Sequence, residues 1–282
     1  MSLDIFALMI ITFIGATVNG ALGYGFSSLT VPVALIFYTN RLLNPALVVL
    51  EVFLNAHVLW TNRSGIANVW RRVLPIIIGL LPGVALGTYL VHSLHPAWVK
   101  LFTYGVLAPL ILTQAAGIRR PIRSERAAGL ALGTGVGVLY SVTTISGPPL
   151  ALMFNNQGYA KADFRAGLGL VRLAESSLTA AFYLAAGMFT FESMRLLPYI
   201  LPSIALGIPL GAFIIRHVPS ETFRRICMSF DAWVVGYGAA RVLRELHLVE
   251  GAAAYSALAL IGGIDLLLLY RYFAKPRTRP AQ

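Results

Sequence analysis

The sequence predicts an all-α polytopic membrane protein. It is built as two inverted repeats, each a glycine-rich broken-helix hairpin plus three transmembrane helices, with one extra C-terminal transmembrane helix. Three observations lead there: the composition, the placement of the basic loops, and an internal match at one fixed offset. Of 282 residues, 57% are hydrophobic and 12% charged, with mean hydropathy +0.75. Soluble domains carry about 25% charged residues. Apolar runs longer than the roughly 18 residues needed to span a bilayer recur throughout, and no stretch is polar enough for a separate soluble domain. One membrane domain over 1–282 is expected.

The elements follow in order from their charged, Pro-rich or Gly-rich breaks. Apolar segments run over 3–38, 45–60, 73–91, 98–116, 127–154, 166–187, 196–215, 223–240 and 252–273. The first and fifth are too long for one ordinary helix, and both have glycine- and hydroxyl-rich centres. The loop with Arg63, Arg71 and Arg72, the loop with Arg119, Arg120, Arg123 and Arg126, and the tail with Arg271, Lys275, Arg277 and Arg279 are assigned to the cytoplasm. Counting crossings then leaves five basic residues outside: Arg41, Lys100, Arg195, Arg241 and Arg244. On this reading the N-terminus lies outside and the C-terminus inside. Each long segment must enter and leave on the same face, the first from outside and the second from inside, so each is a hairpin. Three crossings follow each hairpin, which inverts the second half relative to the first.

A shift of 124 residues lays Arg41 on Arg165, Glu51 on Glu175, Gly83 on Gly207 and Gly87 on Gly211. With a one-residue gap, Arg72-Val-Leu-Pro75 lies on Arg195-Leu-Leu-Pro198. The repeats are set at 3–116 and 127–240, with the extra helix at 252–273.

Composition and motifs also exclude functions. The net charge of +11 invites nucleic-acid binding, but Lys and Arg are spread over short loops in the pattern that orients membrane helices. The lone Cys227 excludes an intrachain disulfide and a cysteine metal cluster. The N-terminal segment lacks a basic start and a small-residue cleavage site, and is expected to stay as a membrane segment. His57, His92, His95 and His217 have no metal-ligand spacing and read as interfacial residues. No metal or cofactor is expected.

The chemistry is expected at the two hairpins. The first holds Asn19, Gly23, Gly25, Ser27 and Ser28; the second holds Ser141, Thr143, Thr144, Ser146 and Gly147. Broken helices expose backbone N–H groups and half-helix N-termini, which suit an anion near the midplane, and the hydroxyls and amide add donors. The bland reading is close helix packing through small residues. Glu51 and Glu175 stand inside apolar spans, each just after a hairpin. A carboxylate at the bilayer centre costs roughly 2.5–3.5 kcal/mol on insertion scales, so they are candidate proton-coupling or charge-balancing groups. Arg172 lies one helical turn before Glu175. It is either the partner of Glu175 or the fixed positive charge that meets the substrate. Asn55 and Thr179 lie one turn beyond Glu51 and Glu175. Arg41 and Arg165 stand at span entrances as interface anchors, and Asp231 in the eighth span has Leu107 at its counterpart position.

The glycine-rich break before Pro32, the Ser146-Gly147-Pro148-Pro149 turn and the later Phe164-Arg165-Ala166 resemble the sulfite exporter TauE/SafE family. The first hairpin departs from that family's run of three glycines, reading Gly23-Tyr24-Gly25-Phe26-Ser27. The resemblance covers nearly the whole chain. It implies a secondary carrier in the cell inner membrane that exports sulfite, an organosulfonate or a related sulfur anion by alternating access; homo-oligomers are admissible. Sulfur enters from the resemblance alone. The alternatives are a passive channel or a cation carrier. An intramembrane enzyme is disfavoured, because no H-E-x-x-H, Ser–His pair or matched Asp pair occurs.

Overall fold

In the computed structural model, described over residues 3–116, 125–156, 161–218 and 220–274, the chain is helical, with no strand among the described residues. The basic loop 117–124 and the tail 275–282, which the orientation argument uses, lie outside them. The first long segment is two helices, α1 (Leu3–Leu22) and α2 (Phe26–Ala34). Gly23 (φ 81°) and Gly25 (φ 107°) take the left-handed conformation that ends the one and starts the other. The second is α6 (Glu125–Thr143) and α7 (Gly147–Asn156). Here the left-handed position falls to a threonine, Thr144 (φ 56°). Pro148 and Pro149 follow at the start of α7, where a missing N–H breaks no helical bond. At 9 and 10 residues, α2 and α7 are about 14–15 Å long, half the depth of a hydrocarbon core. Each hairpin thus has one long leg and one half-length leg.

The other helices are α3 (Asn40–Thr61), α4 (Ile66–Ser93), α5 (Pro96–Ala116), α8 (Lys161–Ala185), the single turn α9 (Phe191–Met194), α10 (Leu197–Ile214), α11 (Ser220–Glu245) and α12 (Ser256–Ala274). Among the described residues, seven helical stretches are long and apolar enough to cross a bilayer: Leu3–Leu22, Asn40–Thr61, Arg63–Ser93, Pro96–Thr113, Phe191–Ile214, Arg225–Glu245 and Gly251–Ala274. The sequence also gives seven crossings, but not the same ones. α1 is long enough alone, and α8 is too polar to qualify, since Arg172, Glu175, Ser176 and Thr179 sit within it. Packing against α3 and α4 covers those residues. α3 begins at Asn40, earlier than the expected 45, because Asn40 and Asn44 are buried.

Lipid-like polarity runs inside out. On α3, Glu51 is fully buried and Phe53 is 70% exposed. Large exposed side chains such as Trp60, Tyr89, Leu184 and Leu206 cover the outside, as expected of a surface that faces hydrocarbon.

Two helix pairs make the most extensive contacts, α4 with α6 and α1 with α10. Both close on glycine. A Cβ added at Gly83 of α4 would lie 2.2 Å from the Thr134 carbonyl oxygen of α6. One added at Gly211 of α10 would lie 1.8 Å from that of Thr17 on α1. Small residues let backbones approach in this way where lipid supplies no hydrophobic drive between helices.

Candidate functional site

The two helix breaks meet at the centre. The Tyr24 ring of the first break lies where a Cβ on Gly147 of the second would come within 3.2 Å. Around this junction four helices place charges and hydroxyls that no single helix could neutralise. Glu51, from α3, accepts three hydrogen bonds. Ser27 Oγ, in the first turn of α2, donates to Oε1 at 2.6 Å. Arg172 Nη2, from α8, reaches the same oxygen at 3.1 Å. Tyr140 Oη, from α6, donates to Oε2 at 2.8 Å. The side chains of the ion pair are 0% and 5% exposed.

Glu175 holds the matching position in the second half. Ser146 Oγ, just ahead of the first turn of α7, donates to its Oε2 at 2.8 Å. Its Oε1 is buried with no hydrogen-bond partner among the described residues, as are Arg172 Nε and Thr179 Oγ1. Each carboxylate therefore sits at the N-terminal end of a half-length helix and accepts from a serine there. This is the position in which helix ends hold anions.

Arg172 does not pair with Glu175, its neighbour one turn away, as one reading of the sequence expected. It reaches across to Glu51 on α3. Helical spacing brings the two residues to one face, but the break between α6 and α7 brings Ser146 to Glu175 and leaves the guanidinium to the opposite carboxylate. Asn55 Nδ2 (3.2 Å) and Ser176 Oγ (2.8 Å) both donate to the Arg172 carbonyl, which fixes α8 against α3.

The expected hydroxyl donors divide. Ser27 and Ser146 point at the carboxylates. Ser141 Oγ bonds the Gly137 carbonyl (2.7 Å), Thr143 Oγ1 that of Leu139 (2.7 Å) and Thr144 Oγ1 that of Thr143 (2.7 Å). These three bonds run to carbonyls of α6 itself and hold the break. Ser28 lines a small cavity between the first break and α11. Gly25 caps α2. Asn19 and Gly23 line a separate cavity of about 180 Å³ with Leu54, His57, Asn62 and Arg165. Leu54 is one turn along α3 from Glu51, so this vestibule approaches the buried pair from the Thr61–Asn62 end of α3.

Four participants were not anticipated: Tyr140, Asn40, Asn44 and Tyr183. Asn40 and Asn44 donate to the Val142 carbonyl at 3.0 and 2.7 Å, and the Tyr183 hydroxyl donates to that of Ser141. Together they satisfy carbonyls that α6 leaves open where it stops, since the last four have no helical partner. A signal for two of them existed. Asn40, Asn44, Glu51 and Asn55 form one polar stripe along an otherwise apolar helix.

Half-length helices meeting inside a helical membrane body, with ionisable side chains buried at the junction, are the architecture of a membrane transporter. The chain belongs to the Sulfite exporter TauE/SafE family, whose model matches residues 8–237. It is also similar to a probable inner membrane transporter protein, TsaS, of Comamonas testosteroni, at 29% identity over 168 residues. That match takes in 55% of this chain and 66% of the relative, so the chain spans less than two thirds of the relative's length. No solved structure gives a significant match.

Proposed function

We propose that the protein is a secondary transporter of a small sulfur-containing anion, sulfite or an organosulfonate, exporting it across the inner membrane by alternating access. The observation that carries this reading is the buried Arg172–Glu51 pair at the start of α2. The Glu51 carboxylate shows what the site can hold: a small oxyanion bound by one guanidinium, two hydroxyls and a helix N-terminus. A substrate oxyanion replaces it on Arg172 once Glu51 takes a proton, and Glu175 offers a second carboxylate for the same exchange. The family's description and the relative's name support the sulfur anion, the export direction and the inner membrane.

A singly charged sulfonate moves with one proton as a neutral load, whereas one proton accompanying a dianion leaves one net negative charge on the loaded carrier. An inside-negative potential then drives it outward by about 2.3 kcal/mol per 100 mV. The proposal takes 3–116 and 127–240 as inverted repeats, with the N-terminus outside and the C-terminus in the cytoplasm. The equivalent roles of Ser27–Glu51 and Ser146–Glu175 favour that symmetry, as does the mutual clasp of α4 with α6 and α1 with α10.

The test is flux in proteoliposomes holding the purified protein, with sulfite, sulfoacetate, taurine and thiosulfate offered under imposed potential and pH gradients. Saturable flux of one of them is expected, driven by the potential where that anion is doubly charged. Folded protein that moves none of them removes the substrate class. Flux unchanged by pH and by Gln at both Glu51 and Glu175 removes the proton linkage.

A further inference from the structure

The cavity that Asn19 and Gly23 share with Arg165 carries basic side chains and no acidic one. Arg165 and His57 line it, and among the described residues no Asp or Glu does. Its volume of about 180 Å³ is more than ten times the roughly 10–15 Å³ that one water needs, so a multi-atom solute fits. Leu54, Val58, Ile208 and Ala212 give it apolar walls.

The 124-residue repeat sets Arg165 apart. Its counterpart Arg41 spends its guanidinium on the C-terminal end of α4, where carbonyls lack helical partners. Arg41 Nε donates to the Val91 carbonyl at 2.8 Å, and Nη2 donates to those of His92 and Leu94. The same offset leads from Arg165 to Ile215, Arg216 and Val218 at the end of α10. Yet Arg165 makes no hydrogen bond or ion pair among the described residues. Asp163, two residues before it, accepts from Asn68 Nδ2 at 3.1 Å instead. Arg41 is an anchor; Arg165 lines a cavity with its charge uncommitted.

Asn19 is the second such group. It is 5% exposed and lines the cavity, and its side-chain amide makes no hydrogen bond among the described residues. A buried amide without a partner is costly, and a ligand in the cavity supplies one. Thr61 and Asn62, at the same cavity, are already committed: their side chains donate to the Val58 carbonyl at 2.9 and 2.8 Å.

We propose that this cavity is a docking subsite, separate from Arg172, for an oxyanion on a short carbon stem such as an alkyl sulfonate. The Arg165 fork and the Asn19 amide hold the charged head, and the apolar walls cover the stem. That the bound anion is cargo waiting one turn along α3 from Glu51 rests on the transport reading above. The binding does not.

The experiment uses the full chain in nanodiscs, with Val58→Cys in a Cys227→Ala background as the one thiol on the cavity wall. Labelling rates are compared for sulfonatoethyl and trimethylammonium-ethyl methanethiosulfonate, each relative to a free thiol. The anionic reagent is expected to be favoured. Arg165→Gln lowers that preference at least about tenfold, because one unit charge acts on the two reagents in opposite senses, and Arg165→Lys largely keeps it. 1-Propanesulfonate slows the labelling saturably, and methanesulfonate, two methylenes shorter, needs roughly tenfold more. Arg165→Gln leaves the apparent unfolding temperature within about 2 °C, whereas Arg41→Gln lowers it by at least about 3 °C. A preference that survives Arg165→Gln, or labelling that 1-propanesulfonate does not slow, overturns the proposal. So does an Arg165→Gln protein destabilised as far as Arg41→Gln, which would make both arginines anchors. Equal protection by the two sulfonates overturns the assigned ligand chemistry. Protection without flux of any anion in proteoliposomes leaves the subsite standing and removes the transport reading instead.

Discussion

Replacing Arg172 by Met separates the buried pair with little change in side-chain length. Glu51 keeps the hydroxyls of Ser27 and Tyr140 but loses its one ion-pair partner among the described residues, at full burial. Breaking a buried ion pair from one side costs about 3–5 kcal/mol, because the remaining charge is uncompensated. At roughly 2–4 °C per kcal/mol for chains of this size, apparent unfolding temperature falls by about 6–20 °C. Glu51→Gln leaves the guanidinium alone and costs a similar amount. The double variant leaves no orphaned charge, so its loss falls well short of the sum, with a coupling of about 2 kcal/mol or more. Thermal unfolding of the four proteins in nanodiscs measures this cycle. Losses that add to within about 0.5 kcal/mol would refute the view that these two residues neutralise each other.

Tyr140→Phe removes one hydrogen bond to the same carboxylate, with an expected loss of about 1.5–3 kcal/mol in the same unfolding assay. Glu175→Gln still accepts from Ser146, so stability changes by less than about 1 kcal/mol while the pH dependence of flux, read under imposed pH gradients, is reduced or lost. Gly211→Ala forces α10 away from Thr17 and costs about 1–3 kcal/mol. Gly105→Ala, where the added Cβ meets nothing, serves as its control for unfolding temperature. In a Cys227→Ala background, Ser64→Cys is expected to react with an impermeant maleimide only from the cytoplasmic face and His247→Cys only from the opposite face. Labelling of both from one side rejects the proposed orientation.

Much of this architecture is legible in the chain because membranes forbid open backbone. Two segments too long for one helix, each with glycine and hydroxyl residues at its centre, had to break, and they do so at Gly23–Gly25 and at Thr144. Glu51 and Glu175 stand out because charge inside an apolar run has so few innocent explanations. The partner of Arg172 was not readable. Spacing along α8 reports a shared face but not which neighbouring helix fills it, and that depends on how α3 and α8 cross. The backbone bonds of the Ser141, Thr143 and Thr144 hydroxyls were not readable either, because composition does not say which carbonyl a hydroxyl will meet. Tyr140 was hidden for the opposite reason. A tyrosine in a membrane segment reads as an anchor until the depth of its hydroxyl is known.

The α1–α10 clasp also governs how the protein is made. Ser203 of α10 donates to the Met9 carbonyl of α1 across 194 positions of sequence. At ribosomal rates of about 5–20 residues per second, roughly 10–40 s pass between the synthesis of these partners. Through that interval the bare glycine-lined flank of α1 has only lipid or an insertion chaperone against it. Helix α1 therefore waits on α10 for its most extensive contact, and a chain halted before residue 200 would leave that flank of α1 uncovered.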